Sequence, residues 1–302
     1  MPARIFVVGS SNTDMVVVSE RLPGPGETVM GGRFLCAAGG KGANQAVAAA
    51  RLGGRVHFIG CLGMDAWGDA ALANLAREGI DVSGVRRDPT EPSGVALILV
   101  DAAGRNLISV APGANAALRP EHLIHLKREL TADDWLLLQL EVPFDTVEAA
   151  IEIASRNGAH ILLDPAPMAQ PERVCSWLKD IDVCKPNEHE CELLTGVAVS
   201  DLTSARAAWA AMGVDRPHWL VVTLGEHGAV ALGDEEGSFP APQVSTVDST
   251  AAGDCFSGAL AVQLAEGASM RQAIGFACRA AALSTTRPGA QPSLPTRREV
   301  EA

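Results

Sequence analysis

The residues best suited to chemistry lie in one segment, Asp248-Ser249-Thr250-Ala251-Ala252-Gly253-Asp254-Cys255-Phe256-Ser257-Gly258. Small residues lead to a lone acid, Asp254, and a helical pattern follows over 256–266. That order puts unpaired backbone N–H groups at the positive end of a helix, where they attract an anion. A carboxylate beside such a nest is electrostatically out of place unless it has a task. One such task is taking the proton of a hydroxyl that attacks a phosphate. The same residues also read as an ordinary capped helix start, where Asp is common.

Other segments could complete a site. In Gly39-Gly40-Lys41-Gly42-Ala43-Asn44 the glycines let a ligand approach the backbone, and Lys41 and Asn44 supply polar side chains. The P-loop pattern fails there, because Gly42 rather than Ser or Thr follows Lys41. A substrate-binding turn and a plain strand-to-helix connection both remain open. Gly9-Ser10-Ser11-Asn12-Thr13-Asp14 follows the first strand, and ligands of open α/β sheets sit beyond the carboxyl ends of strands. Asn12 and Asp14 are thus placed for hydroxyls, or are turn residues. Glu141 occupies the equivalent place after the run 135–140, and alone it reads as a solvated loop acid. Asn187 and Glu190 can organise a hydrated Mg²⁺ and its phosphates, and equally form the N-cap and N3 of a capping box. Thr223, Gly225 and Gly228 lie in a loop that fits under a nucleotide or makes a hairpin.

The elements that must position these residues alternate. Apolar runs at 5–8, 56–60, 135–140, 160–163, 181–184 and 219–223 read as buried strands. Helical patterns at 44–52, 65–78 and 146–157 end at Gly53, Gly79 and Gly158. This alternation predicts an α/β fold: a mainly parallel sheet with helices on both faces. Two regions break the rhythm. The runs 15–18 and 28–35 flank Leu22-Pro23-Gly24-Pro25-Gly26, and 94–100 and 106–110 flank Asp101-Ala102-Ala103-Gly104-Arg105. They predict a small antiparallel sheet, within 12–38 and 92–112, acting as a lid or as an edge extension. The whole of 1–302 reads as one domain.

With 302 residues and 47% hydrophobic content, a large core is available. A net charge of −12 argues against a nucleic-acid surface. The seven cysteines, at 36, 61, 175, 184, 191, 255 and 278, form no Cys-x-x-Cys pair and suggest free thiols in a reducing compartment. Glu188-His189-Glu190-Cys191 lacks partner ligands at zinc spacing. The apolar run after Met1-Pro2-Ala3-Arg4 is too short for a signal peptide, and no run is long enough to span a membrane. A cytoplasmic protein is expected. The first strand's turn lacks the three glycines of a dinucleotide site, which speaks against an oxidoreductase.

Taken in order, these segments resemble the ribokinase family of carbohydrate kinases. The likeness extends over essentially the whole chain and includes Gly113-Ala114-Asn115-Ala116-Ala117-Leu118, Gln139-Leu140-Glu141, Asp164-Pro165-Ala166-Pro167, 185–190 and 289–293. It implies a Rossmann-like fold with a β lid, and ATP-dependent phosphorylation of the primary 5-hydroxyl of a sugar, D-ribose first. Deoxyribose, fructose or a nucleoside are the alternative acceptors, and a non-catalytic sensor is a more distant one. In the implied site Asp254 is the base, and the amides of Ala251, Ala252 and Gly253 form the anion hole. Asn12, Asp14, Gly40, Lys41, Asn44 and Glu141 hold the sugar. Asn187 and Glu190 act on Mg-ATP, and Thr223, Gly225, Gly228 and Gly253 line its site. Asp248, carbonyls of Thr250, Ser284, Arg287 and Gly289, and the Ser293 hydroxyl hold K⁺. The resemblance also implies a homodimer through the lid. Family members often have His in the helix beside adenine where this chain has Cys278.

Overall fold

The computed structural model describes residues 3–302; Met1 and Pro2, part of the start read for a leader, lie outside the described residues. β1 (Arg4–Val8) is followed by a hairpin of β2 (Asn12–Val18) and β3 (Arg33–Gly39), then α1 (Lys41–Arg51), β4 (Arg55–Gly63), α2 (Ala66–Arg77) and β5 (Asp81–Asp88). A second hairpin, β6 (Gly94–Val100) and β7 (Asn106–Ala111), leads to α3 (Ile124–Glu129), β8 (Trp135–Leu138), α4 (Phe144–Asn157), β9 (His160–Leu163), α5 (Pro171–Trp177) and β10 (Val183–Cys184). Then come α6 (Glu188–Thr195), α7 (Leu202–Ala211), β11 (Trp219–Thr223), β12 (Ala229–Leu232), β13 (Gly237–Phe239), α8 (Ala252–Ala265), α9 (Met270–Ser284) and α10 (Arg297–Val300).

Nine strands form the main sheet in the order β13-β12-β11-β10-β9-β8-β1-β4-β5. Pairing is parallel from β5 through β11, and β12 and β13 add antiparallel. Successive side chains of β1 enter opposite cores: Ile5 and Val7 pack with α1, α8 and α9, while Phe6 and Val8 pack on the α4 side. Burial on both faces explains why these strands read as continuous apolar runs. From β1 the chain moves outward to β4 and β5, then returns to β8 on the other flank. That reversal opens a crevice beyond the carboxyl ends of β1 and β8.

Four strands form the second sheet, ordered β3-β2-β6-β7. Its outer pairs are antiparallel hairpins, and its central pair, β2 with β6, runs parallel. Side chains alternate across it. Met15, Val17, Phe34, Cys36, Leu97 and Leu107 fall on the face opposite to Asp14. There Phe34, Leu97 and Leu107 are 59%, 55% and 53% exposed, and the Cys36 thiol is also exposed.

Three boundaries differ from the sequence reading. The helix of the Asp248 segment begins at Ala252 rather than at 256, so Asp254 lies inside its first turn. β3 begins at Arg33 rather than 28, because a left-handed glycine, Gly31 (φ 91°), interrupts the intervening chain. The run 135–140 stops as a strand at Leu138, leaving Gln139 to Glu141 in the crevice loop. β5 was unforeseen: among the described residues it pairs only with β4, at the sheet edge, and its sequence Asp-Val-Ser-Gly-Val-Arg-Arg-Asp is too polar to read as a buried strand.

Candidate active site

Asp254 is 6% exposed on the first turn of α8, held against α1. Gly258 permits this closeness, since a Cβ there would lie 2.7 Å from Gln45 O. Asn44 Nδ2 donates to Asp254 Oδ2 at 2.9 Å, and Gln45 Nε2 donates to Oδ1 at 3.1 Å. Gln45 also reaches Asp164 Oδ2 at 2.8 Å, and Gln139 Nε2 fixes its orientation by donating to its Oε1. Lys185 Nζ sits 2.9 Å from Asp164 Oδ2 and 3.5 Å from Gly253 O. Ser257 Oγ donates to the same Asp164 oxygen at 3.0 Å. Burial raises the Asp254 pKa; Lys41 opposes this, Asp164 adds to it, and the Asn44 and Gln45 donors oppose it, with a net upward shift. A carboxylate so tuned accepts a proton more readily than one in water.

Ala251, the N-cap of α8, is left-handed at φ 61° and ψ 12°, the only non-glycine of positive φ among the described residues. This twist turns the chain into the helix. Ala252 N–H bonds back to Ser249 O at 3.2 Å. Among the described residues no backbone acceptor engages the N–H groups of Ala251, Gly253 and Asp254. Of the three amides expected in an anion hole, two are therefore open and that of Ala252 is engaged. Gly253 faces solvent.

Beyond β1 and β8, Ser10 Oγ donates to Glu141 Oε2, which also accepts Lys41 N–H at 2.9 Å. Gly40 (φ 87°) permits the turn from β3 into α1, and a Cβ there would lie 2.7 Å from Asn12 N. Burial pushes the Asp14 carboxyl up to about 6, helped by the nearby charges of Glu141 and Asp254. Burial lowers the Lys41 pKa, but Asp254, Asp164, Glu141 and Glu190 outweigh it and the ammonium stays charged. Asn44 Oδ1 is buried with no partner among the described residues, an acceptor that a ligand hydroxyl would satisfy. The structure thus brings Asp14, Lys41, Asn44, Glu141 and Asp254 into one electrostatic cluster, with Asn12 and Gly40 at its edge.

A cleft of about 610 Å³ adjoins the α8 N-terminus. Asn187, Thr223, Gly225, Gly228 and Gly253 line it, together with Cys278. Glu190 lies behind that wall: its Oε2 accepts Asn187 N–H at 2.9 Å while Asn187 Oδ1 accepts Glu190 N–H at 2.8 Å. The pair thus forms a capping box whose Asn187 member lines the cleft. Burial, and then Asp164, raises the Glu190 pKa. Cys278 Sγ lies 3.7 Å from Phe239 O, and burial pushes its thiol up to about 11.

The oxygen-rich loops also converge. Asp248 Oδ2 accepts Gly289 N–H at 2.7 Å, and its Oδ1 accepts Thr250 N–H at 2.9 Å. Burial raises the Asp248 pKa, but the Thr250 and Gly289 donors outweigh it, so the net shift is downward. Asp248 N–H bonds to Thr285 O at 3.1 Å, one residue beyond Ser284. Ser293 is buried on the adjoining turn, which Arg51 of α1 anchors through Gln291 O and Leu294 O at 2.8 and 2.9 Å. Arg287 instead pairs its guanidinium with Glu299, leaving only its carbonyl as a candidate ligand.

Residues 2–297 match the family described as pfkB family carbohydrate kinase. The chain belongs to that family. It is 40% identical over 302 residues to a ribokinase of Haemophilus influenzae, covering 99% of this chain and 97% of that one. It is 38% identical over 293 residues to a deoxyribokinase of Salmonella typhi, covering 97% and 95%. A structure of Arabidopsis thaliana ribokinase complexed with ribose and ATP superposes with a TM-score of 0.90 at 32% identity, covering 100% and 98%. The chain is accordingly an ATP-dependent sugar kinase with the ribokinase-like fold.

The kinase crevice contains residues to which the sequence assigned no role. Gln45, Gln139, Asp164, Lys185 and Ser257 form its polar floor, all nearly or fully buried. Their signal was a polar side chain at the end of an apolar run, most visible in Asp164 after 160–163 and Lys185 after 181–184. The wall at Pro242, Val244 and Phe256 had no such signal.

Proposed function

We propose that the chain transfers the γ-phosphoryl group of ATP to the primary 5-hydroxyl of D-ribose, giving D-ribose 5-phosphate and ADP. One observation carries the reading: the buried Asp254 carboxylate lies on the same helical turn as open amides, between a polar crevice and a cleft of nucleotide size. The hydroxyl oxygen attacks the γ-phosphorus, Asp254 takes its proton, and the bond to the ADP oxygen breaks. Open amides at the α8 N-terminus stabilise the charge on the transferring group, and Lys41 adds a cation. A general base contributes about 10²–10⁴-fold and an anion-hole donor about 10²–10³-fold. Asn12, Asp14, Gly40, Asn44 and Glu141 hold the sugar, and Thr223, Gly225 and Gly228 carry the nucleotide.

Asn187 and the buried Glu190, only one oxygen of which is committed to the capping box, would hold the hydrated Mg²⁺ of Mg-ATP, which would neutralise phosphate charge. Asp248, the carbonyls of Thr250, Ser284, Arg287 and Gly289 and the Ser293 hydroxyl would hold K⁺, which would order the anion-hole loop; the Asp248 carboxylate already links the Thr250 and Gly289 segments. The second sheet acts as a lid over the sugar, excluding water as a competing acceptor. Its exposed apolar face supports a homodimer through the lid, and seven free cysteines suit a cytoplasmic protein. No helix among the described residues is long and apolar enough to cross a membrane.

Deoxyribose is the second reading, because of the 38% identity to a deoxyribokinase. The test is a coupled assay with Mg-ATP and a panel of sugars and nucleosides. Ribose should give the highest kcat/KM. Strong turnover of deoxyribose, fructose or a nucleoside without ribose would reject the assignment.

A further inference from the structure

Asn115 lies on the 3₁₀ turn Gly113–Ala117, where the chain leaves the small sheet, and is 1% exposed. Its Oδ1 accepts the backbone N–H of Ser11 at 2.9 Å. A backbone amide nitrogen can only donate, so this bond decides which end of the Asn115 amide is oxygen. Nδ2 is then the other end, and it donates to Ser11 O at 3.2 Å and to Asn12 Oδ1 at 2.8 Å. The last bond decides Asn12 in turn. Its oxygen is turned to Asn115, so the opposite end of the Asn12 amide presents N–H donors. The contact is closely fitted: a Cβ on Gly94 would lie 2.3 Å from both Asn115 Nδ2 and Asn12 Oδ1.

This polarity complements the crevice. Asp14, Glu141 and Asp254 are acceptors when ionised, so they take the protons of sugar hydroxyls. A hydroxyl that donates to one of them keeps lone pairs, and Asn12 supplies a donor for those. We propose that Asn115 is a positioning residue: by fixing the Asn12 amide with its N–H groups toward the sugar, it sets the preference for ribose over deoxyribose. A sugar lacking the hydroxyl leaves a buried donor unpaired, and a freely rotating Asn12 would evade that penalty. The inference rests on the reading of Asn12 as a sugar contact.

Steady-state kinetics with ribose and deoxyribose test it, using Asn115→Ala, the isosteric Asn115→Leu, Asn12→Ala and the double variants. The kcat/KM ratio of ribose to deoxyribose should fall about tenfold or more in either Asn115 variant that folds. The fall should come through the KM for ribose rather than kcat. In the Asn12→Ala background, changing Asn115 should move the ratio no further, because the two act through one contact. An unchanged ratio in the Asn115 variants, with Asn12→Ala lowering it, overturns the inference alone. So do additive effects, or equal losses on both sugars, which mark a purely structural role. If Asn12→Ala leaves the ratio intact, the reading of Asn12 falls, and the inference with it. Turnover of neither sugar by the unsubstituted chain removes the ribose assignment as well.

Discussion

Asp254 and Asp14 are carboxylates of one crevice, yet their surroundings suit them to different work. Asp254 receives a donor on each oxygen while burial raises its pKa, so it is oriented and basic at once. Replacing it as Asp254→Asn should lower kcat by about 10²-fold or more. Sugar binding, followed by calorimetry, should persist, and a residual rate above about a tenth would remove the base assignment. Asp14 is raised to about 6, first by burial and then by two neighbouring acids. Its folded pKa exceeds the unfolded one, so its ionisation destabilises the native state as pH rises through about 6. Asp14→Asn should therefore raise Tm at about pH 8, and the gain should vanish below about pH 3, where the acid is protonated in both states. Its kcat/KM for sugar should fall. An equal Tm gain at both pH values would contradict the charge crowding.

At the scale of the element, the start of α8 is strained. An alanine in the left-handed region costs about 1–2 kcal/mol. Ala251→Gly should stabilise the protein by about 1 kcal/mol in urea unfolding, even after allowing for the looser unfolded chain. A loss of stability would show that the turn needs its methyl group. The same turn shows what a sequence reveals. Small residues and glycines at Gly39 to Asn44 and Ala251 to Asp254 mark places where backbone meets backbone, so those segments stood out. The helix start was misplaced because Ala252 to Cys255 carry no apolar periodicity. Nor was the polar floor legible. Gln45 sits in an alanine-rich helix that could equally face water, and only packing against Gly258 and Asp164 gives it a buried task. Asn115 was visible within Gly113 to Leu118, but its partners Ser11 and Asn12 lie about a hundred residues away, a distance that local pattern cannot bridge.

At the scale of the molecule, α1 connects the sugar crevice to the turn holding Ser293, through Lys41 at one end and Arg51 at the other. A cation in that loop would thus order the anion hole without touching substrate. Rates should be several-fold higher in K⁺ than in Na⁺ buffer at equal ionic strength, and equal rates would dismiss the cation. The exposed Cys36 thiol has a further consequence. It lies on the projecting sheet among Phe34, Leu97 and Leu107, whereas five of the other cysteines are buried and Cys175 is partly so. A maleimide should label the native protein there first. The chain thus carries a built-in chemical clock: where two copies meet through this face, alkylation should slow at high protein concentration and quicken on dilution. A rate independent of concentration would rule that pairing out.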